Sequence, residues 1–404
     1  MPDSVPAMAD SNPTVRPKCP ASVRNGVRHA AGMVSAITPE SRPSWTGARK
    51  NRVAAQINRI AQAPIAVTDH PRSQSRRPIS TRDLFAPVVP ADRMHPQYRS
   101  LLQSKFHGAA RALMNEIFER MGDPNGNFVR DFQSHGFHSR VFELACFAYL
   151  ENAGFAIDRS HEQPDFLISR EGIEIAVESV TANPPFSQAA DISLLQMPQL
   201  SDVAIKAKVA TEFPKRMTKI LTRKLAHAYH EFPQCKGKSL VLMIAPFFEP
   251  GAVFYTDDAL MYALMGAPGP EVEVVSPFFQ RSDAETVSAV VYCNQFTVPR
   301  FLRLGTGFSA SDAPHLTRHG HCYIADQDGE FRPREYDYVM GSEGVPKETW
   351  SEGVTIFENP NAAVPLPRDA FPASSHVSVR DGYVYREVRG FHPLVSFMVG
   401  QAGT

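Results

Sequence analysis

The sequence predicts an α/β protein, and three observations carry that expectation. A helix-length run ending near residue 152 is apolar almost all round. Three short runs of strand character follow it, at 155–158, 165–169 and 173–181. A mostly helical stretch at 204–232 then leads into Ser-Leu-Val-Leu-Met-Ile-Ala at 239–245, an apolar run of buried-strand length. The order helix, three strands, helix, strand calls for a mixed sheet flanked by helices.

Residues 1–82 are rich in Pro, Ser, Arg and Ala and lack apolar periodicity. Such a segment buries too little to offset its chain entropy, so a disordered basic tail is expected. A short helix at 48–62, with Val53, Ile57 and Ile60 on one face, is compatible with it. An organelle transit peptide, against which the proline density speaks, and a downstream start such as Met94 are alternatives. Order is expected from Leu84. Ala110, Leu113, Ile117 and Phe118 predict a helix over 107–121, and Asp123-Pro124-Asn125-Gly126 a turn. Ser139 is placed to cap the next helix, which Asn152-Ala153-Gly154 stops. Arg170-Glu171-Gly172 is short enough to join two strands in a hairpin. Asn183-Pro184-Pro185 ends the unit, 187–203 reads as loop, and Pro214 is expected to break the long helix. Beyond 250, a helix capped by Thr256 and Asp257 runs to 265, and a strand covers 287–296. Arg300-Phe301-Leu302-Arg303 reads as an alternating strand, with hairpin turns at 325–329 and 380–382. Four regions result: the tail (1–82), a helical segment (83–137), a core (138–249) and an extension of extra strands packed on it (250–404).

With 404 residues, 43% of them hydrophobic, the chain can bury a substantial core. Its net charge of zero is uneven: residues 1–94 carry 14 Lys/Arg against 6 Asp/Glu, and residues 95–404 carry 28 against 36. A mildly acidic folded part argues against a bulk positive field and leaves room for a local basic groove or for a partner that supplies affinity. Five scattered cysteines, without zinc-finger spacing, suit a reducing compartment. The longest apolar run, 240–248, is interrupted by Pro246 and too short to span a bilayer. A cytoplasmic protein with no membrane partner is expected.

Glu143 is the one charged residue in Val-Phe-Glu-Leu-Ala-Cys-Phe-Ala-Tyr-Leu at 141–150. A lone carboxylate on such a helix is costly unless paired. In the run 173–181, alternation places Glu178 on one face with Ala176 and Val180. Asp165 opens the neighbouring strand after Pro164, so hairpin pairing brings Asp165 and Glu178 to one end of the sheet. Two converging carboxylates stay ionised together only with a cation between them, and hard oxygen donors favour Mg²⁺ or Mn²⁺.

Glu143…Pro164-Asp165…Glu178 resembles the PD-(D/E)xK, restriction-endonuclease-like nuclease superfamily over residues 138–246. More loosely, 84–246 is similar to uncharacterised bacterial proteins, some labelled "glycosaminoglycan attachment site", a label to which no residue here gives support. The resemblance implies a bacterial, Mg²⁺-dependent nuclease acting on DNA, with RNA as second choice. Asp165, Glu178 and Glu143 would serve as metal-binding acids. It also implies a lysine two residues after Glu178, where this chain has Val180. In some members that lysine sits on the following helix, which points here to Lys224, bordering an apolar stripe of Ile220, Leu221, Leu225 and Ala228, and next to Lys219. A homodimer or a protein partner is compatible with this reading, as is an inactive nuclease-like fold used as a binding module.

Simpler readings apply to each residue. Glu143 can be a core acid paired with Arg140, Arg216 or Arg223, Pro164-Asp165 only a turn, and Glu178 an edge residue. Gln133, His135 and His138 can line the same cleft or satisfy loop backbone. His315, His319, His321 and Cys322 are zinc-type ligands but lack a second cluster. No nucleophile-elbow motif supports a serine hydrolase.

Overall fold

The computed structural model describes residues 83–184, 202–266, 277–305, 316–324 and 333–400. The expectations for the tail, its helix at 48–62 and the turn at 325–329 lie outside the described residues, as does the loop expected at 187–203 up to residue 201; residues 202 and 203 are helical instead. Helices α1 (Pro96–Gln103), α2 (Gly108–Met121) and α3 (Phe128–Gln133) precede α4 (Phe137–Asn152), the helix that carries Glu143. In α4 every residue from Val141 to Leu150 is buried, because β3 lies on one side and α2 on another. Gly154 at φ 83° closes its end, a conformation that glycine adopts without a Cβ clash.

Three strands follow, β1 (Ala156–Asp158), β2 (Phe166–Arg170) and β3 (Ile173–Thr181). They pair antiparallel in sequence order, with Phe166 opposite Val177. The two-residue turn Glu171-Gly172 has φ 50° and 81°, the positive values that a tight hairpin with right-handed strand twist requires. In β3 four consecutive residues, Ile175 to Glu178, are buried, so both faces of this strand are covered. A crossover through α5 (Asp202–Ala207) and α6 (Phe213–Leu225) returns the chain to β4 (Ser239–Ala245), parallel to β3 and buried throughout.

Pro214 does not break the helical stretch. A π turn at Lys208–Glu212 precedes it and leads directly into α6, where Pro214 sits in the first turn, the part of a helix that tolerates its missing N–H best. The region after 250 does more than pack on the core. α7 (Asp257–Met265), β5 (Ala289–Tyr292), α8 (Val298–Gly305), β6 (Leu316–Ile324), β7 (Arg334–Val339), β8 (Thr355–Glu358), β9 (Ser375–Arg380), β10 (Tyr383–Val388) and β11 (Phe391–Gly400) complete the chain. Four of these strands extend one eight-stranded mixed sheet in the order β1-β2-β3-β4-β5-β8-β9-β10, while β11-β6-β7 form a second sheet. One continuous apolar core runs from Leu84 to Val377.

Two local expectations are corrected. Arg300 and Arg303 lie on helix α8, not on a strand. Three residues apart, they share a helical face and both reach buried Glu352, whereas on a strand they would point to opposite sides. Ser139 does not cap α4, which begins two residues earlier. Its hydroxyl bonds Thr181 Oγ1 at 2.8 Å and so ties α4 to the end of β3. No helix among the described residues is long and apolar enough to cross a membrane.

Candidate functional site

The end of β3, the start of β2, the N-terminal half of α4 and one face of α6 enclose a cavity of about 1000 Å³. Asp165, Glu178 and Glu143 all line it, and so do Lys224 and Lys219. Register makes this convergence. Asp165 immediately precedes β2, and the pairing of Phe166 with Val177 carries it to the level of Glu178. Asp165 N donates to Glu178 Oε2 at 3.2 Å, and Asp165 Oδ2 accepts from the backbone N of Ser179 at 2.8 Å and from its hydroxyl at 2.5 Å. Ser179, on the opposite strand face from Glu178, thus aims the aspartate rather than lining the core.

Lys224 reaches the pair. Its Nζ lies 2.5 Å from Glu178 Oε1 and 3.4 Å from the hydroxyl of buried Tyr229. The left-handed turn at Ala228 (φ 49°) folds the chain back after α6 and brings that hydroxyl toward Glu178. Burial, then the charge of Asp165, push the Glu178 carboxyl above the usual range, and Lys224 and Tyr229 oppose the shift. Val180, in the position where a strand lysine was sought, is buried and lines the cavity two residues beyond Glu178.

Glu143 is held differently. Arg140 donates to Oε2 at 2.6 Å and Arg159 to Oε1 at 2.6 Å, and Arg140 continues to Asp131 Oδ2 at 2.8 Å. Both carboxylate oxygens are engaged, which is how the apolar helix α4 tolerates the acid. Burial and then Asp165 push its carboxyl up, against the two arginines. Among the described residues, no three His, Cys, Asp or Glu side chains are grouped to hold a metal ion. The three acids therefore meet as an Asp165–Glu178 pair with Glu143 beside it, bound to arginine.

The remaining candidates separate cleanly. His135 lines the cavity, while Gln133 bonds the backbone of Leu84, Ala86 and Val88, and His138 packs against Phe137 and Phe247. His319 and His321 on β6 face Asp337 and Glu335 across the sheet. Sequence reading missed Arg159, Ser179 and Tyr229. It also missed that Lys215, Arg216, Lys219 and Arg223 form a cationic wall over the acids, although positions 215, 219 and 223 repeat at a helix-face spacing of four.

Comparison with protein-family models, with curated proteins and with solved structures gives no match to this chain.

Proposed function

We propose that the chain is a metal-dependent phosphodiesterase of restriction-endonuclease-like fold that cuts DNA, with RNA as second choice. One observation carries the reading. An ammonium group from the helix after β3, that of Lys224, sits 2.5 Å from Glu178, which supports giving it the role for which Val180 has no group. The acids alone could be structural. A buried carboxylate with a half-buried one beside it, a lysine against the first and a cationic wall above, suits phosphodiester hydrolysis.

Asp165 and Glu178 fit a hard divalent ion, because Mg²⁺ and Mn²⁺ accept sites of one or two carboxylates with water filling the rest. Bound there, such an ion would supply an activated water and neutralise charge on the phosphate. The chain's own groups do the rest. Ser179 fixes the aspartate, and Tyr229 and Lys224 fix the glutamate. Lys224 offers a donor to the attacking water and to the charge that builds on phosphate oxygens. Glu143 acts through Arg140, which it orients at the cavity wall.

The second reading, an inactive nuclease-like fold that binds nucleic acid or protein, rests on a specific observation. Each of the three acids already has a partner: Glu143 its two arginines, Glu178 its lysine, Asp165 its serine. Incubation of supercoiled DNA, linear DNA and RNA with Mg²⁺ or Mn²⁺ separates the two. Cleavage lost on chelation and in Asp165→Asn and Glu178→Gln is expected. Cleavage that survives both substitutions overturns the site, and metal binding without cleavage favours the binding module.

A further inference from the structure

We infer that the outward stripe of α6 grips a nucleic-acid strand through its phosphates alone, without reading bases; this rests on the proposed phosphodiesterase reading and names how its substrate is held. Helix α6 presents two rows to the cavity. Arg216, Ile220 and Lys224 lie deep, and Lys215, Lys219 and Arg223 lie at the rim. The rim cations are exposed. Lys219 and Arg223 have no acidic partner among the described residues, in a chain whose buried arginines are bound to carboxylates. Two neighbouring cations on one helix face repel one another, and nothing in the packing of α6 requires them. Their placement makes sense against a polyanion.

The spacing suits a backbone. From Lys215 to Arg223 the helix rises about 12 Å, which spans roughly three phosphates at ~3.4 Å of axis per residue of one strand. The deep row ends on Lys224, so the strand lies with one phosphate over Asp165 and Glu178 and its neighbours on the rim. Aromatic stacking of bases finds little support here. No Phe, Tyr or Trp side chain is among the described residues lining the cavity, and of its two histidines His227 is already stacked on Tyr229. Asn183 gives one amide N–H to Ser139 at 2.9 Å. A row of exposed cations along one helix face meets the strand at its phosphates, and phosphate contacts fix position without carrying sequence information.

The test uses the full chain in EDTA and two fluorescein-labelled 20-mer duplexes of unrelated sequence. Affinity is read by anisotropy from 50 to 200 mM KCl for wild type, Lys219→Ala/Arg223→Ala and the distant control Lys105→Ala/Lys347→Ala. Each phosphate contact contributes a slope of about −0.9 to log K against log salt, so the stripe variant should lose about 1.8 from the slope. Its deficit against wild type then shrinks about tenfold between the two salt limits, the control keeps the wild-type slope, and the two duplexes bind within twofold of each other. A stripe variant with the wild-type slope, or a tenfold preference for one duplex, overturns the inference. Failure of the two ideas is distinguishable. A steep stripe-dependent slope in a protein that cleaves nothing upholds the stripe and removes the phosphodiesterase reading. Cleavage with unchanged KM and slope in the stripe variant does the reverse.

Discussion

Lys224→Met removes the ammonium and keeps the aliphatic stem that packs along α6. Glu178 then retains two donors, the backbone N of Asp165 and the Tyr229 hydroxyl, with the charge of Asp165 still beside it. Deleting one member of a buried pair costs about 3–5 kcal/mol, but the Lys224 side chain is 24% exposed, so water takes over part of the interaction and about 1–2 kcal/mol of stability is the expected loss. The effect on turnover should be larger. Loss of one preorganised donor to developing charge is worth about 10²–10³ in kcat, or about 3–4 kcal/mol of barrier. KM should change little, because the substrate is held at the rim. Val180 tests the same idea from the other side. It shares the face of Glu178 two residues on and lines the cavity, so in Val180→Lys/Lys224→Met a lysine stem can follow the strand and place its ammonium in the same space. Nicking of supercoiled plasmid under Mg²⁺ gives the rates, and thermal unfolding confirms the fold. The expectation is a deep loss in the single variant and at least tenfold recovery in the double. A single variant within twofold of wild type, at unchanged melting temperature, would refute the assignment of Lys224.

Glu143→Gln should lower stability by about 2 kcal/mol, seen as a drop of roughly 3 °C in melting temperature, because the amide loses the charge and keeps one acceptor for two arginines, so that Arg159 falls back on the carbonyls of Met121 and Gly122 or Arg140 on Asp131; an unchanged melting temperature would mean that the pairs contribute nothing. Glu352 is held down to about 2 by Arg300, Arg318 and Arg303, which outweigh its burial. A folded value below the unfolded one gives stability that is full above about 4.5 and is lost as pH falls toward 2, on the order of 3 kcal/mol; Glu352→Gln should be less stable at pH 7 and should flatten that acid limb in denaturant titrations. Gly320→Ala should disrupt the second sheet, since its Cβ would collide with the Val395 carbonyl oxygen where β6 passes the irregular step between Pro393 and Val395; near-wild-type melting would show that β11 can yield.

The core elements were legible because their patterns are local. β3 and β4 have the bounds that alternation and an uninterrupted apolar run assign, and the Glu171-Gly172 turn follows from chain length and glycine. The C-terminal half was not, because its strands find partners far away: β5 pairs β8 across more than sixty residues, and β8 lies parallel to β9. Nothing in a short apolar run says which edge it will join. The misreading of Arg300–Arg303 has the same root, since two charges three apart fit an irregular strand or a helix until Glu352, fifty residues on, selects the helix.

The site divides along the same line. Asp165 and Glu178 were findable because a hairpin converts sequence spacing into position, so one register decides that they meet. Glu143 was findable as an anomaly, but its partners were not both so: Arg140 is one helical turn away, whereas Arg159 depends on how edge strand β1 turns back against α4. Lys224 stands between these cases. The helix fixes its place beside Met217, Ile220 and Leu221, and the parallel return to β4 lays that face over the end of β3, so the lysine had few other places to point. What no local pattern could supply is the reason α6 can carry it there. The π turn at Lys208–Glu212 and Pro214 in the first turn set the phase of the helix, and a shift of one residue would rotate Lys224 by about 100° away from Glu178. An inserted alanine between Lys219 and Ile220 should therefore abolish cleavage as fully as Lys224→Met, and a moderately stable variant that still cuts would show that the ammonium's direction does not matter.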